Sequence, residues 1–490
     1  MNALRRSMST VSSALNGTGQ ATALLAFLLF PNDVTYGAFK TSARLLKSAA
    51  IQKLAQALSS NEAFVQRHWR ERLREDFCTT TRDTAHLSKE EAAQHVQAFL
   101  RAAQKSTSES GERTAERTAE RTAERTAERT AVVAASEFLA RLPTNAFDVA
   151  SGSVASIFTF DDYAIKVVGD MAVSDVELAA SILDAVVHLL RGMDRPGEAL
   201  IMDIIATDLR AQLNMRGEFE ATELARAQEE TAGIIIPKVY GASERVLVME
   251  RIDVLHQLTS DVATRAFAAL ELRLCSGYLF HSDLHSGNVG VCGDAIVLLD
   301  WGSTQRTERV DSRGLLKSSV YCSPPALLAV LFPAAEEGAI AKAVLAEAER
   351  KPDASPEDVT FNAIMAMQNA GQRCDVAALR VFIGIGHVSH LYETAGFAPL
   401  HHDHRDWRAS AQCRLFALAR VGATSRHPRM QAFAHDCFED VRRDVAARGA
   451  DLPELIQHLW EALPTSPYIR DKARWVEPLR QELSKLRQLV

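Results

Sequence analysis

Cysteine is scarce: seven in 490 residues, scattered as Cys78, Cys275, Cys292, Cys322, Cys374, Cys413 and Cys437, with no C-x-x-C pair. An odd, dispersed set excludes a disulfide framework and a zinc ribbon and points to a reducing compartment. Long hydrophobic runs are missing too. None reaches the roughly 18 apolar residues that a spanning helix needs, which excludes a polytopic membrane protein. There is no basic excess either: the formal net charge is −7. Nonspecific nucleic-acid binding requires a basic face that displaces counterions, so no nucleic-acid partner is expected. What remains is a chain with 47% apolar and 24% charged residues, the balance of a soluble globular protein with ample core. At about 150 residues per domain it has room for two to four domains or lobes.

Acidic residues are absent from the first 32 positions, where Arg5 and Arg6 sit among Ser7, Ser9, Ser12 and Ser13. That is the composition of an organelle transit peptide. The apolar stretch Ala21 to Phe30 is too short to cross a bilayer but long enough for a signal-peptide core or a membrane-touching helix. An ordinary buried helix start is the plain alternative. Residues 1–35 are therefore expected to be a targeting or membrane-proximal segment. The expected location is mitochondrial and membrane-associated, with the cytoplasm as the alternative.

Further along, apolar residues recur three and four apart from Tyr36 to about Glu75, as on an amphipathic helix. Ser88-Lys-Glu-Glu91 is a capping box that opens a second helix. Residues 112–131 are five tandem copies of Glu-Arg-Thr-Ala. A four-residue period drifts by about 40° per repeat on a helix, so no apolar stripe is maintained, and a solvated helix or loose linker is expected. Beyond it, Ile157 to Phe160 and Tyr163 to Val168 predict a hairpin turning at Asp161-Asp162. One long helical stretch over 172–230 follows, and Pro237 to Asp253 again predicts strands. After that the pattern is helical, broken at Gly277 to Ser303 and renewed at Ser355-Pro356.

The segment with chemistry is Tyr278-Leu-Phe-His-Ser-Asp-Leu-His-Ser-Gly-Asn-Val-Gly290, followed by Ile296-Val-Leu-Leu-Asp-Trp-Gly302. Asp283 and Asn288 are five apart, and Asp300 follows a short apolar strand. Phosphoryl transfer from a nucleotide needs such a set: one carboxylate to orient the attacking group, then an amide and a second carboxylate to hold magnesium. Kinase catalytic loops have this spacing. Asp283 is the candidate base or orienter, and Asn288 and Asp300 are the candidate metal ligands. Gly302 is expected to supply the backbone freedom that turns Asp300 inward. Lys166, in Ala164-Ile-Lys-Val167, is the candidate phosphate contact. Glu218 is the candidate carboxylate for that lysine, with Glu220 as competitor. Ala150, Ser151, Gly152 and Ser153 open a small-residue turn suited to close backbone approach to a nucleotide. His281, Asp283 and His285 also alternate as metal ligands would, but histidines of such loops more often hold the loop by hydrogen bonds. His401, His402, Asp403 and His404 read as an exposed polar loop.

The phrase His281-Ser-Asp-Leu-His-Ser-Gly-Asn288 resembles two families, the aminoglycoside and choline phosphotransferases and the UbiB family of atypical kinases. Lys53-Leu-Ala-Gln56 is similar to the Lys-x-Gly-Gln signature of the second, with Ala55 where that signature has Gly. Ala150-Ser-Gly-Ser-Val-Ala-Ser-Ile157 resembles its alanine-rich loop. Gln212-Leu-Asn-Met-Arg-Gly-Glu218 resembles its helix, with Gln212 and Asn214 where Glu and Asp are usual. The Glu-Arg-Thr-Ala insert is not a family feature.

The UbiB resemblance implies an α+β, protein-kinase-like bilobal fold, with a small antiparallel sheet plus helix in the N-lobe, a mostly helical C-lobe and a helical N-terminal extension. The expected segments are 36–135 for the extension, with the low-complexity insert at 105–133, then 136–253 for the N-lobe and 254–490 for the C-lobe. It also implies ATP or ADP with Mg2+ as cofactors, and a gating role for Lys53 and Gln56. ATPase or kinase activity would serve ubiquinone or other prenyl-lipid metabolism, with a prenyl-lipid or quinone intermediate and a peripheral membrane surface as partners. The alternatives are a small-molecule phosphotransferase and a nucleotide-sensing scaffold without turnover.

Overall fold

The computed structural model describes residues 27, 32–46, 72–73, 76, 87–109, 118–144, 146–151, 154–284, 287–321, 323–350, 356–398, 400 and 406–490. Lys53, Ala55, Gln56, Gly152, Ser153, His285 and the cluster at 401–404 lie outside the described residues. In chain order the elements are α1 (Asp33–Leu46), α2 (Lys89–Glu109), α3 (Thr118–Arg141), β1 (Asp148–Ser151), β2 (Ser156–Phe160), β3 (Tyr163–Val167), α4 (Asp170–Gly192), α5 (Pro196–Ala211) and α6 (Met215–Ala227). Then come β4 (Ile234–Ile235), β5 (Val239–Ala242), β6 (Val246–Glu250), α7 (Ser260–Ser276), β7 (Phe280–His281), β8 (Val289–Cys292), β9 (Ala295–Leu298) and β10 (Thr304–Gln305). The remainder is helical: α8 (Ser312–Tyr321), α9 (Pro324–Leu331), α10 (Glu337–Arg350), α11 (Pro356–Asn369), α12 (Val376–Thr394), α13 (Trp407–Thr424), α14 (Pro428–Ala447), α15 (Leu452–Ala462) and α16 (Lys472–Gln488). This is an α+β fold: mostly helix, with a small antiparallel sheet. Among the described residues, no helix is long and apolar enough to cross a membrane.

The chain divides into two compact units: 1–227 with 236–253 and 300–303, and 228–235 with 254–299 and 304–490. The first unit is built on a five-stranded sheet in the order β1-β2-β3-β6-β5, with every neighbouring pair antiparallel. The β2–β3 hairpin turns at Asp161-Asp162, and Asp161 takes the left-handed conformation at φ 43°, which Asp tolerates better than most residues. One face of the sheet carries Phe158, Phe160, Ile165, Val167 and Val248, and α2 and α3 lie on it. Ser88 caps α2, accepting the N–H of Glu91 at 3.1 Å. The carboxylate of Glu91 does not return to complete the box: its Oε1 accepts the N–H of Asp170 at the start of α4.

The end of the Glu-Arg-Thr-Ala repeat is structural. Thr126 to Thr130 are exposed or half-buried, but Ala131 is fully buried, and Ala134, Ala135 and Phe138 continue its stripe onto the sheet. The helix docks closely because Gly241 on β5 has no side chain: a Cβ there would lie 3.0 Å from that of Ala131. The single long helix expected over 172–230 is three helices. Asp194, at φ 56°, breaks the first, and Pro196 opens the next; Asn214 starts the third.

In the second unit, Thr259 caps α7, accepting the N–H of Val262 at 3.3 Å, and Gly277 ends it at φ 70°. The chain then makes the β8–β9 hairpin, and β9 adds β4 on its other side in parallel. Gly290 lets the segment at 254–255 cross β8: a Cβ there would collide with Val254 at 1.8 Å. Helices α8–α16 form the rest, with Phe416 and Phe438 among its fully buried side chains.

Candidate active site

The residues singled out by sequence fall into two groups, one in each unit. The first forms around Lys166, on the middle strand β3, where it pairs in register with Ile157 and Leu247. Side chains alternate across a strand, so Lys166 faces away from the cluster that holds Ile165 and Val167. On its side Val168, Leu247 and Met215 pack together, and Met215 begins α6. Lys166 is 8% exposed and Glu218 4%. The ammonium nitrogen stands 2.9 Å from Glu218 Oε1 and 2.8 Å from Oε2, gripping both oxygens. Glu220 is exposed. Two residues along a helix is a rotation of about 200°, so only one of these two glutamates can face the strand.

Asn214 decides where α6 starts. Its Oδ1 accepts the N–H of Gly217 at 3.0 Å, and its carbonyl accepts that of Glu218 at 3.0 Å. Gly217 makes room for this cap, since a Cβ there would sit 2.9 Å from the Asn214 amide. Asn and Asp cap helices equally well, so the Asn keeps the geometry while removing a charge.

Asp300 completes this group. Its Oδ1 lies 3.1 Å from Lys166 Nζ, and its side chain remains 43% exposed. Burial works against the charge on Lys166, but the carboxylates of Asp300 and Glu218 outweigh it and hold the ammonium above its ordinary value. The expectation for Gly302 requires correction. The left-handed residue is Asp300 itself, at φ 56°, and Gly302 has no positive φ. What Gly302 supplies is space: a Cβ there would lie 3.3 Å from Glu218 Oε2 and 3.4 Å from Asp300 Oδ1. Trp301 is fully buried beside it and anchors the turn. Gln212, at the end of α5, donates from Nε2 to Ser303 Oγ at 3.3 Å. Ala150 and Ser151 lie on β1, the edge strand of the sheet, paired with Ile157 and Ser156.

The second group is a chain of hydrogen bonds. His281 Nδ1 accepts the N–H of Asp283 at 3.2 Å, so Nε2 carries the proton and donates to the carbonyl of Leu299 at 2.9 Å. Both ring nitrogens are thereby occupied, and His281 is a brace for the loop rather than a metal ligand. Asn288 donates from Nδ2 to the Asp283 carbonyl at 2.9 Å, and Leu299 N–H donates to the Asn288 carbonyl at 2.9 Å. The amide nitrogen being engaged, Asn288 presents Oδ1 as its oxygen donor.

Sequence reasoning missed the glycine behind this loop. At Gly384, on α12, a Cβ would lie 2.9 Å from the backbone of Ser282 and 2.8 Å from the Phe280 ring. A glycine within a helical pattern was the available signal. The Asn214 cap was also missed, although an Asn just before a helix is a recognisable start.

Residues 149–323 match the ABC1 atypical kinase-like domain. The match covers 175 of the 490 residues. This ABC1 segment spans β1 to the end of α8 and includes Lys166, Glu218, Asp283, Asn288 and Asp300. It supports the UbiB-like resemblance seen in the motifs. A solved structure titled as the complex of Rv3197 with erythromycin from Mycobacterium tuberculosis is 15% identical, covering 73% of this chain and 93% of that one, with a TM-score of 0.34. A likeness this loose carries nothing over about ligand or activity. No curated protein matches the chain.

Proposed function

We propose that the ABC1 domain is a magnesium-dependent ATP-binding kinase or ATPase of UbiB type, serving ubiquinone or other prenyl-lipid metabolism. The observation that supports this most directly is the convergence of Lys166, Glu218 and Asp300 in the first unit. A buried ammonium held by a fully engaged glutamate, beside a half-exposed aspartate, is what a polyphosphate and its cation require on the nucleotide side of a kinase site.

Asp300 in the first unit offers a carboxylate oxygen and Asn288 in the second an amide oxygen, and each is a hard donor of the kind that Mg2+ takes alongside phosphate and water. A bound cation would neutralise charge on the phosphates. The protein's own groups have separate tasks. Glu218 fixes the direction of Lys166, Lys166 meets the phosphate oxygens, and Asp283 orients the attacking hydroxyl or water. The transit-like N-terminal composition supports a mitochondrial location, and the apolar stretch Ala21 to Phe30 supports contact with a membrane surface where isoprenoid intermediates partition.

The test is ATP hydrolysis by the full chain with and without Mg2+, liposomes and a quinone-precursor mimic, comparing wild type with Asp300→Asn. The expected result is Mg2+-dependent turnover that rises with liposomes and precursor and falls by about 100-fold or more in the variant. A folded protein with no nucleotide affinity under any of these conditions overturns the reading. Turnover unaffected by Asp300→Asn removes the residue assignment alone. Rescue of a null strain by Asp283→Asn would instead favour the scaffold without turnover.

A further inference from the structure

Away from the Lys166 group, the first unit brings together three metal-ligating side chains: Glu91, His95 and Asp170. Glu91 and His95 are one turn apart on α2, which puts them on one face. Asp170 is the first residue of α4, four positions beyond Lys166. His95 Nε2 lies 3.8 Å from Glu91 Oε1 and 3.7 Å from Asp170 Oδ1, and the three donor atoms are all within 4.8 Å of one another. The Nε2 atom is itself fully buried and makes no hydrogen bond. Donor atoms bound at about 2.0–2.2 Å in a tetrahedron stand about 3.3–3.6 Å apart, so a small inward shift of the side chains closes the set on one ion.

The approach is held by backbone. The N–H of Asp170 donates to Glu91 Oε1 at 2.5 Å, and a Cβ on Gly169 would lie 2.5 Å from Leu87 and 3.0 Å from that same oxygen. One side of the cluster meets competition: Arg245 Nη2 comes to 4.0 Å from Asp170 Oδ1, outside hydrogen-bond reach. Two carboxylates and one neutral imidazole match the charge of a divalent cation. An imidazole ligand selects Zn2+ and its neighbours over Mg2+, which prefers oxygen alone.

We infer that Glu91, His95 and Asp170 form a binding site for a Zn2+-class cation, with water in the fourth position, that clasps α2 to the start of α4. The clasp ties the helices before the sheet to the chain segment that leaves the lysine strand. It is independent of the nucleotide reading, because none of its ligands belongs to the Lys166 group.

The experiment is a Zn2+ titration of the full chain in excess Mg2+, followed by calorimetry and metal analysis, with Co2+ as a spectroscopic stand-in. Wild type should take up about one equivalent that His95→Gln and Asp170→Asn do not, while Asp300→Asn retains it. The visible Co2+ bands should vanish in the same two variants. Asp170→Asn keeps the backbone N–H and alters an exposed side chain, so it separates ligand loss from misfolding, which circular dichroism checks. Equal uptake by wild type and both variants, or no uptake by wild type, overturns the site.

Discussion

Asn214 Oδ1 accepts the N–H of Gly217 at 3.0 Å, and this bond begins the helix that brings Glu218 to Lys166. Asn214→Ala should therefore cost about 1 kcal/mol of stability, whereas Asn214→Asp should cost almost nothing. Thermal unfolding of the three proteins checks the order. Nucleotide affinity measured alongside should fall in the alanine variant and hold in the aspartate one.

The pairing of Lys166 with Glu218 is buried on both sides. Removing only the ammonium leaves a carboxylate without its partner, so Lys166→Met should cost about 3–5 kcal/mol. Adding Glu218→Gln to it should recover part of that loss, as urea unfolding would reveal. The folded lysine titrates above its ordinary 10.5. Its contribution is thus fully present below that value and is lost only as pH rises through the folded one. The stability gap between wild type and the Lys166→Met, Glu218→Gln double variant should stay level from about pH 6 to pH 9. A gap that closes within that interval contradicts the assignment.

Gly241 and Ala131 test whether the last alanine of the repeat belongs to the core. Gly241→Val should overpack the contact between β5 and α3 and destabilise by about 1–3 kcal/mol. Ala131→Gly, harmful by itself, should relieve part of that cost when the two are combined. Strict additivity in a denaturant double-mutant cycle would show that the helix does not dock there.

Glu271 is a buried carboxyl in the second unit, accepting the hydroxyl of Tyr392 at 2.5 Å. Burial raises its pKa, against the pull of Arg420 and of the Tyr392 hydrogen bond. The folded protein therefore holds this proton more tightly than the unfolded chain, and stability declines as pH rises from the ordinary 4.5 through the folded value. Glu271→Gln should be more stable than wild type at neutral pH, and the advantage should disappear below pH 4.5. Melting curves at several pH values give the answer.

The loop from His281 to Asn288 could be read from its residues because its parts are close in sequence, and the hydrogen bonds within it span two to five positions. The β2–β3 hairpin was legible for the same reason: alternation and a two-residue turn are local. Glu218 was harder. It lies 52 positions from Lys166, and choosing it over Glu220 depends on the phase of α6, which the Asn214 cap sets. Gly302 was misread because a glycine suggests conformational freedom, and only coordinates reveal that the positive φ sits on Asp300 while the glycine leaves space for two carboxylates. The repeat misled in a similar way. Its composition describes a solvated helix, yet its last alanine continues a stripe that begins outside the repeat.

Residue order alone carried the choice of candidate groups, since spacing within a short loop and the residues flanking a strand are properties of the chain. Tertiary structure decided which carboxylates meet Lys166, which glycines give way to a neighbour, and that Glu91, His95 and Asp170 face one another. Those relations join segments tens of residues apart. They are set by how helices seat on a sheet, where the energy comes from burying side chains that no local pattern pairs in advance.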